Sequence, residues 1–247
     1  MKTASSIAAA AWLFSGAAGA AEIKVLSTQA TEAAYKELVP LFEQASGHKV
    51  ATVFTGTLDA LKRLSSGESY DLLIMAQKQI DELSQSGKVV AGSRTDIAKS
   101  GVALAVGKGK PKPDISTVDA LKKSLLAAKS IGYSTGPSGV YVVSMFQKLG
   151  IADEIKSRLK QTPTGVFVGS IIASGEVEMG FQQVSELSFF PGIDYVGPIP
   201  AEVQLITVFS AGIPAGAKEA DAAKALMSFV TAPAAAATFR KHALDPG

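Results

Sequence analysis

The sequence predicts an α/β fold of two lobes, each a mostly parallel sheet flanked by helices, with a ligand cleft between the lobes. Short apolar runs alternate with amphipathic segments, a pattern typical of parallel sheets covered by helices on both faces. The alternation restarts after a Pro-rich loop at residues 107–114, which indicates a second lobe. The chain has 247 residues, 47% of them hydrophobic, which is enough for two ordinary cores.

The first residues have the features of an export signal. Lys2 is followed by an apolar run at residues 7–14 and by small residues at 18–20, the pattern that signal peptidase requires. The run is too short to span a bilayer, which takes about 20 residues. We therefore expect residues 1–20 to be a signal peptide cleaved near Ala20, and the mature chain to reside in the periplasm without inserting into the membrane. Because the sequence contains no cysteine, we expect neither a lipid anchor nor disulfides.

The first half of the chain predicts three strands alternating with three helices. The helix at residues 33–46 carries Tyr35, Leu38 and Phe42 on one face, the spacing of a helix that packs against a core. A glycine follows each helix, as is common where a helix ends. The predicted strands are residues 23–26, 50–54 and 71–75, and the predicted helices are residues 33–46, 58–65 and 80–86.

The second half begins with a predicted strand at residues 102–106 and repeats the alternation. The later elements are helices at 118–128, 140–149, 166–174, 220–230 and 234–242, and strands at 130–133, 178–182 and 205–209. We assign residues 21–104 and 207–247 to lobe 1 and residues 105–206 to lobe 2. The chain then crosses between the lobes near residues 102–106 and 205–209, where we expect a hinge.

Hydroxyl- and glycine-rich loops precede several helices. In open parallel sheets, ligands bind beyond the carboxyl ends of the strands, where helix N-termini converge. Backbone N–H groups and the positive end of the helix dipole make such junctions anion sites. The alternative for each loop is plain helix capping, for which Ser and Thr are favoured. The four loops are residues 27–31, 55–57, 134–139 and 162–165.

Few residues point to an enzyme. His48 and His242 are the only histidines, and neither joins a cluster, so we predict no metal site and no cofactor. The formal net charge of +2 argues against a nucleic-acid partner. The candidate acid–base groups near the cleft-side ends of elements are Glu32, Asp59, Glu186 and Tyr141. The helix dipole alone would also favour acidic residues at such positions.

Several short motifs along the chain point to one family. Residues 23–26 (IKVL) precede a hydroxyl-rich loop, residues 70–74 read YDLLI, and residues 136–141 read GPSGVY. Residues 232–233 (AP) and 239–241 (FRK) add a fourth region. In these motifs the sequence resembles the periplasmic molybdate-binding proteins of ABC importers, and more loosely the wider class of two-lobed solute-binding proteins. The resemblance implies a receptor that closes on a small anionic solute and presents it to the membrane component of an ABC importer.

The resemblance also implies which loops hold the ligand. In that family two serine hydroxyls, backbone N–H groups and a tyrosine grip a tetrahedral oxyanion without a cationic side chain. The serine positions fall beside Ala30 and around Gly56. The backbone donors fall at Ser138 and near Val166, and the tyrosine falls near Gln183. At least two of these positions carry a residue that differs from the family pattern. We therefore expect a ligand other than molybdate, either a carboxylate or another oxyanion.

The candidate ligand-binding residues combine these positions with their loop neighbours. Gln182 and Gln183 each offer two donors and an acceptor, which suit carboxylates and oxyanions alike. The alternative for this pair is a polar strand end that reaches no ligand. The full set is Thr28, Gln29, Ala30, Thr55, Gly56, Thr57, Ser138, Gly139, Val166, Gln182 and Gln183.

Two other functions would share this scaffold. Periplasmic aconitate isomerases look like molybdate-binding proteins, and fold does not fix function. Moving a proton between two carbons of a small tricarboxylate needs one acid–base group and donors for several carboxylates. Glu32, Glu186 or Tyr141 would carry the proton. A sensor that binds the solute and docks onto a membrane signalling protein would show the same sequence features.

Overall fold

The computed structural model describes residues 19–247. All but the last two residues of the predicted signal peptide therefore lie outside the described residues. The strands are β1 (Glu22–Thr28), β2 (Lys49–Thr55), β3 (Leu72–Ala76), β4 (Thr95–Ser100), β5 (Val102–Gly107), β6 (Ile131–Tyr133), β7 (Leu159–Gln161), β8 (Met179–Gln183), β9 (Ile193–Pro198), β10 (Thr207–Gly212) and β11 (Asp245–Pro246).

Helices cover the faces of the sheets. They are α1 (Glu32–Ser46), α2 (Thr57–Ser65), α3 (Gln77–Gln85), α4 (Val118–Ala127), α5 (Pro137–Lys148), α6 (Ala152–Ile155), α7 (Val168–Ala173), α8 (Val184–Leu187), α9 (Ala220–Val230) and α10 (Ala236–Lys241). Within residues 19–247, no single helix is both long and apolar enough to cross a membrane. Among these residues, only the bent pair formed by α9 and Pro233–Lys241 has, taken together, the length and apolar composition that a membrane span needs.

The first sheet contains six strands in the order β11-β4-β10-β3-β1-β2. Strand β1 runs parallel to β2 and β3, and β10 runs antiparallel to β3 and β4. Successive residues of a strand face opposite sides of the sheet. Accordingly, Ile23 and Val25 pack with α1, α9 and α10, and Leu26 packs on the other face with α2 and α3. The first lobe therefore has a core on each side of its sheet.

The second sheet contains five strands in the order β7-β6-β8-β5-β9. Strand β6 runs parallel to β7 and β8, and β5 runs antiparallel to β8 and β9. Val102 and Leu104 pack against α4 and α5, and Ala103 and Ala105 pack against α7 and α8. The carboxyl ends of β6, β7 and β8 lie side by side at the edge that faces the first lobe.

The predicted two-lobed α/β architecture is confirmed, with a difference in strand direction. Both sheets are mixed rather than mostly parallel, because β10 and β5 run antiparallel to both of their neighbours. The sequence pattern did not predict β4, β7, β9 or β11. In β4, Asp96 and Lys99 interrupt the apolar run that would have indicated a strand.

The chain passes from the first sheet to the second at Gly101, between β4 and β5. Since β5 lies wholly in the second sheet, we place this crossover at Gly101 rather than at residue 104, and the return crossover just before Thr207. The predicted hinge segments are thus mostly strand. Gln204, on the return crossover, donates to the Val102 carbonyl at 3.0 Å and accepts from the Val102 N–H at 2.7 Å. The two crossovers are therefore tied together.

Candidate functional site

Two helix N-termini from opposite lobes meet in the cleft. Helix α2 begins after Gly56 and α5 begins after Gly136, and a glycine has no side chain with which to cap a helix. A Cβ atom on Gly56 would lie 2.6 Å from Thr135 Oγ1, so the two loops are in close contact. The first N–H groups and the positive dipole ends of both helices therefore face the same space. An anion is the ligand that such a space favours.

The loop before α5 is a compact cluster of hydroxyl groups. Helix α5 begins earlier than predicted, at Pro137, which puts Ser138 and Gly139 in its first turn. Ser138 is 1% exposed, and its hydroxyl lies 3.3 Å from that of Ser134. A Cβ atom on Gly139 would collide with the Ser134 carbonyl, so only glycine fits there. The sequence-predicted pair Ser138 and Gly139 thus lies at the cleft.

The turn at Gln29–Thr31 enters the cleft from the first lobe and touches the second. Thr28 is buried, and its Oγ1 accepts from the Ala30 N–H at 3.5 Å. Gln29 Nε2 donates to the Gly165 carbonyl at 3.0 Å, and Ser185 Oγ donates to the Ala30 carbonyl at 2.9 Å. Gln29 and Ala30 therefore fasten the two lobes together, and the lobes are in contact as in a closed form.

Thr55 and Thr57 flank Gly56 at the start of α2. The Thr55 hydroxyl is buried and donates to Asp59 Oδ2 at 2.9 Å. Arg63 Nε donates to the same oxygen at 2.6 Å and lowers the pKa of Asp59. Asp59 is therefore ionised and holds the Thr55 side chain, a role that does not suit a proton carrier.

Val166 lies outside the helix that it was predicted to begin. Helix α7 starts at Val168, and the Val166 N–H donates to the Pro163 carbonyl at 3.1 Å within the preceding turn. The Val168 N–H donates to Gln182 Oε1 at 2.8 Å. The N–H groups of Val166 and Val168 are thus already paired inside the second lobe.

Gln182 and Gln183 point to different partners, as alternate residues of a strand must. Gln182 Nε2 donates to Glu186 Oε1 at 2.7 Å. The Gln183 amide satisfies both of its atoms when its oxygen accepts from Thr207 Oγ1 at 3.1 Å and its nitrogen donates to the Gly101 carbonyl at 3.0 Å and the Ser100 carbonyl at 3.1 Å. Gln183 therefore hydrogen-bonds to both crossovers between the lobes, and Gln182 hydrogen-bonds to the carboxyl group of Glu186.

Glu186 is a carboxyl group with an altered proton affinity. It stands at the third position of α8, where it also accepts from the Gln183 N–H at 3.3 Å. Burial raises the pKa of Glu186 to about 8, Glu32 adds to the increase, and the donors on Gln183 and Gln182 oppose it. A carboxyl group with such a pKa is largely protonated at neutral pH. It lines a cleft of about 310 Å³ between the lobes.

The other two candidate acid–base groups lie on different sides of the lobe interface. Glu32 lines the same cleft as Glu186 and forms an ion pair with Lys36. Tyr141 lines a second cleft of about 420 Å³ together with Thr57 and Pro137, at the starts of α2 and α5, and its hydroxyl donates to the Val203 carbonyl at 2.6 Å. Burial raises the pKa of Tyr141. The structure therefore brings Glu32 and Glu186 together and keeps Tyr141 apart.

Sequence reasoning did not single out Thr135, Thr162, Ser185 or His242 as site residues, for different reasons. Thr135 and Thr162 belong to loops that were predicted. Only the fold shows that Thr135 contacts Gly56 of the opposite lobe and that Thr162 is buried. Ser185 follows a strand end whose orientation the sequence does not reveal. His242 lines the Glu186 cleft because α10 packs beside α1, a contact between the two ends of the chain.

Comparisons with known proteins give relatives along nearly the whole chain. The family model that matches residues 23–244 describes a bacterial extracellular solute-binding protein. The chain is 35% identical to an aconitate isomerase from a Pseudomonas species over 230 residues, 91% of this chain and 87% of that protein. It is 31% identical to the molybdate-binding protein ModA of Azotobacter vinelandii over 183 residues, 73% of this chain and 72% of that protein.

Solved structures share the fold. The periplasmic molybdate-binding protein of Azotobacter vinelandii has a TM-score of 0.76 at 21% identity, covering 91% of this chain and 99% of that one. The sulfate-binding protein SubI of Mycobacterium tuberculosis has a TM-score of 0.74 at 17% identity, covering 92% and 87%. Since the family model matches nearly all of the chain that forms the two lobes, this protein belongs to the bacterial extracellular solute-binding protein family, among relatives of the molybdate-binding proteins.

Proposed function

We propose that this protein encloses a small anion, an oxyanion or a carboxylate, between its lobes in the periplasm and presents it to the membrane component of an ABC importer. The observation that carries the proposal is the meeting of the α2 and α5 N-termini at Gly56 and Thr135. Two helix dipoles and buried hydroxyls stabilise a negative charge. Family membership supports the transport role, and the relative named as a molybdate-binding protein supports an anionic cargo.

The test is a panel of anions against residues 21–247. Molybdate, sulfate, phosphate, citrate and both aconitate isomers are each added, and thermal unfolding is followed. We expect one chemical class to raise the melting temperature, since a ligand at 100 times its Kd stabilises a protein by about 2.7 kcal/mol. The bound anion should be recovered unchanged by NMR. A melting temperature that no anion shifts would refute anion binding.

Isomerisation of a small tricarboxylate is a second candidate, and Glu186 is the observation that favours it. In the ionised form, this carboxylate would take a proton from one carbon of the substrate and return it to another as the double bond moves, so that no other reactant is needed. Its pKa of about 8 suits such a base. The identity of 35% to a protein named aconitate isomerase supports the candidate.

Turnover separates the two candidates. If the protein is an isomerase, trans-aconitate incubated with it should give cis-aconitate signals in NMR spectra. The rate should then rise about tenfold from pH 6 to pH 7 and level off above pH 8, because only ionised Glu186 acts. Glu186→Gln should lower the rate at least 100-fold, as expected for loss of a general base. The matched control is Glu176→Gln, on the surface of the same lobe. An active Glu186→Gln variant would rule out the assigned role.

A further inference from the structure

Glu186 and Glu32 reach the same cleft from opposite lobes. Both line the space of about 310 Å³ between the turn Gln29–Thr31 and helix α8. Ser185, next to Glu186, donates to the Ala30 carbonyl at 2.9 Å, so a contact that joins the lobes lies one residue away from Glu186. Closure of the lobes therefore brings Glu32 and Glu186 to one confined space.

Within the second lobe, the groups around Glu186 are neutral or engaged elsewhere. Of the elements packed against α8, strands β5 and β8 and helix α7 contain no ionisable residue. Strand β9 contains Asp194, which accepts from the Gly109 N–H at 2.7 Å, and Tyr195, which bonds to Ser188. The second lobe thus supplies no cation to an ionised Glu186 through these elements.

The first lobe brings three ionisable side chains to the same cleft: Glu32, Lys36 and His242. Lys36 forms an ion pair with Glu32, and His242 Nε2 lies 2.9 Å from Glu37 Oε2. Both basic side chains therefore already have an acidic partner, and His242 shares Glu37 with Lys241. Ionisation of Glu186 would add a negative charge beside Glu32 that neither base is placed to balance.

We propose that closure of the lobes over an anion takes up one proton, which Glu186 holds, so that the anion and the proton bind together. This inference rests on the proposed anion binding and names a second ligand of the closed form. An anion that holds the lobes closed keeps Glu186 in the same cleft as Glu32, surroundings that favour the protonated carboxyl group. Proton and anion therefore promote each other's binding by the same factor.

The direction of the pH dependence follows from the two forms of the carboxyl group. Burial in the closed form raises the pKa of Glu186 to about 8, and in open lobes exposure returns it toward the ordinary value of about 4.3. The closed form holds the proton more tightly, so affinity for the anion falls as the pH rises between these values. From pH 6 to pH 7 the Kd rises about tenfold, and at pH 7.5 about 0.8 proton is taken up per anion.

Isothermal titration calorimetry counts this proton directly. Residues 21–247 are titrated at pH 7.5 in HEPES, Tris and imidazole, whose ionisation enthalpies differ. The probes are molybdate and tricarballylate, a saturated tricarboxylate that cannot isomerise. The slope of the binding heat against the ionisation enthalpy of the buffer gives the number of protons. We expect about 0.8 for the probe that binds.

Three variants locate the proton. Glu186→Gln should bring the slope to zero, and Glu32→Gln should reduce it, because removal of the neighbouring charge lowers the pKa of Glu186. Glu176→Gln, a surface change in the second lobe, should leave the slope unchanged. If Glu186→Gln no longer binds, the reduced slope of Glu32→Gln carries the test.

These measurements distinguish a failure of proton uptake at Glu186 from a failure of anion binding. Binding heat that does not depend on the buffer, or a slope that neither Glu186→Gln nor Glu32→Gln changes, would overturn proton uptake at Glu186 and leave anion binding intact. Absence of binding heat with both probes, together with no thermal shift in the anion panel, would refute the proposed anion binding itself.

Discussion

At the scale of single residues, Thr162 and Thr207 show opposite uses of a buried hydroxyl. Thr162 is 3% exposed, and its Oγ1 finds no hydrogen-bond partner within residues 19–247. Its N–H donates to the Tyr133 carbonyl at 2.9 Å, which sets it beside the loop that begins at Ser134. Thr207 is also buried, but its hydroxyl bonds to the Gln183 amide. A buried polar group without a partner costs about 1–3 kcal/mol.

Replacement of each threonine by valine, which has nearly the same shape, should therefore change stability in opposite directions. Thr162→Val should raise the free energy of unfolding of the ligand-free protein by about 1 kcal/mol, because it removes the unpaired hydroxyl. Thr207→Val should lower it by about 1 kcal/mol, because it leaves the Gln183 amide short of a partner. Urea unfolding measures both values. A Thr162→Val variant that is less stable than the wild type would show that the hydroxyl has a partner.

The site could be predicted from the sequence as a set of loops but not as a set of contacts. Ser138 and Gly139 could be placed in a hydroxyl- and glycine-rich loop just before a helix, because residues 134–139 precede an amphipathic segment. The partners of Gln182 and Gln183 could not, because Val168 and Thr207 reach them only through the fold. The raised pKa of Glu186 likewise depends on burial by a lobe that is distant in sequence.

At the scale of elements, the cleft is built from helix starts. Helices α2 and α5 begin at glycines, so their N–H groups face the cleft instead of a capping side chain. A Cβ atom at Gly56 would lie 2.6 Å from Thr135 Oγ1, so a larger residue fits in the closed form only if the Thr135 hydroxyl moves away. The alternation of elements predicted most of this arrangement. It missed β4 and β9, whose apolar pattern polar residues break, and β7 and β11, which are only two or three residues long, and it could not give strand direction, which distant neighbours decide.

A methyl group at position 56 should therefore hinder closure and binding. In Gly56→Ala the new Cβ would lie 2.6 Å from Thr135 Oγ1 and displace that hydroxyl, so the anion identified by the panel should bind about tenfold more weakly (about 1.4 kcal/mol), with little change in the stability of the ligand-free protein. The matched control is Gly216→Ala, whose Cβ would meet nothing within 4 Å. Equal affinities of the two variants, measured by calorimetry, would remove Gly56 from the site.

At the scale of the whole molecule, the two lobes are joined by short crossovers and fastened across the cleft. Gly101 is a single residue between β4 and β5, and Gln204 ties the return crossover to Val102. Across the cleft, the contacts from Gln29 and Ser185 are individual hydrogen bonds, each worth about 0.5–1.5 kcal/mol. Such contacts are weak enough to exchange with water, so an anion that bridges the helix starts would decide whether the lobes stay closed.

Small-angle X-ray scattering of residues 21–247, with and without each anion of the panel, measures whether the lobes close over the ligand. We predict that the anion that stabilises the protein also reduces its radius of gyration, and that the scattering of the bound form matches the closed structure described here. A stabilising anion that leaves the scattering curve unchanged, with the free protein already matching the closed structure or the bound protein failing to match it, would contradict closure of the lobes over the ligand.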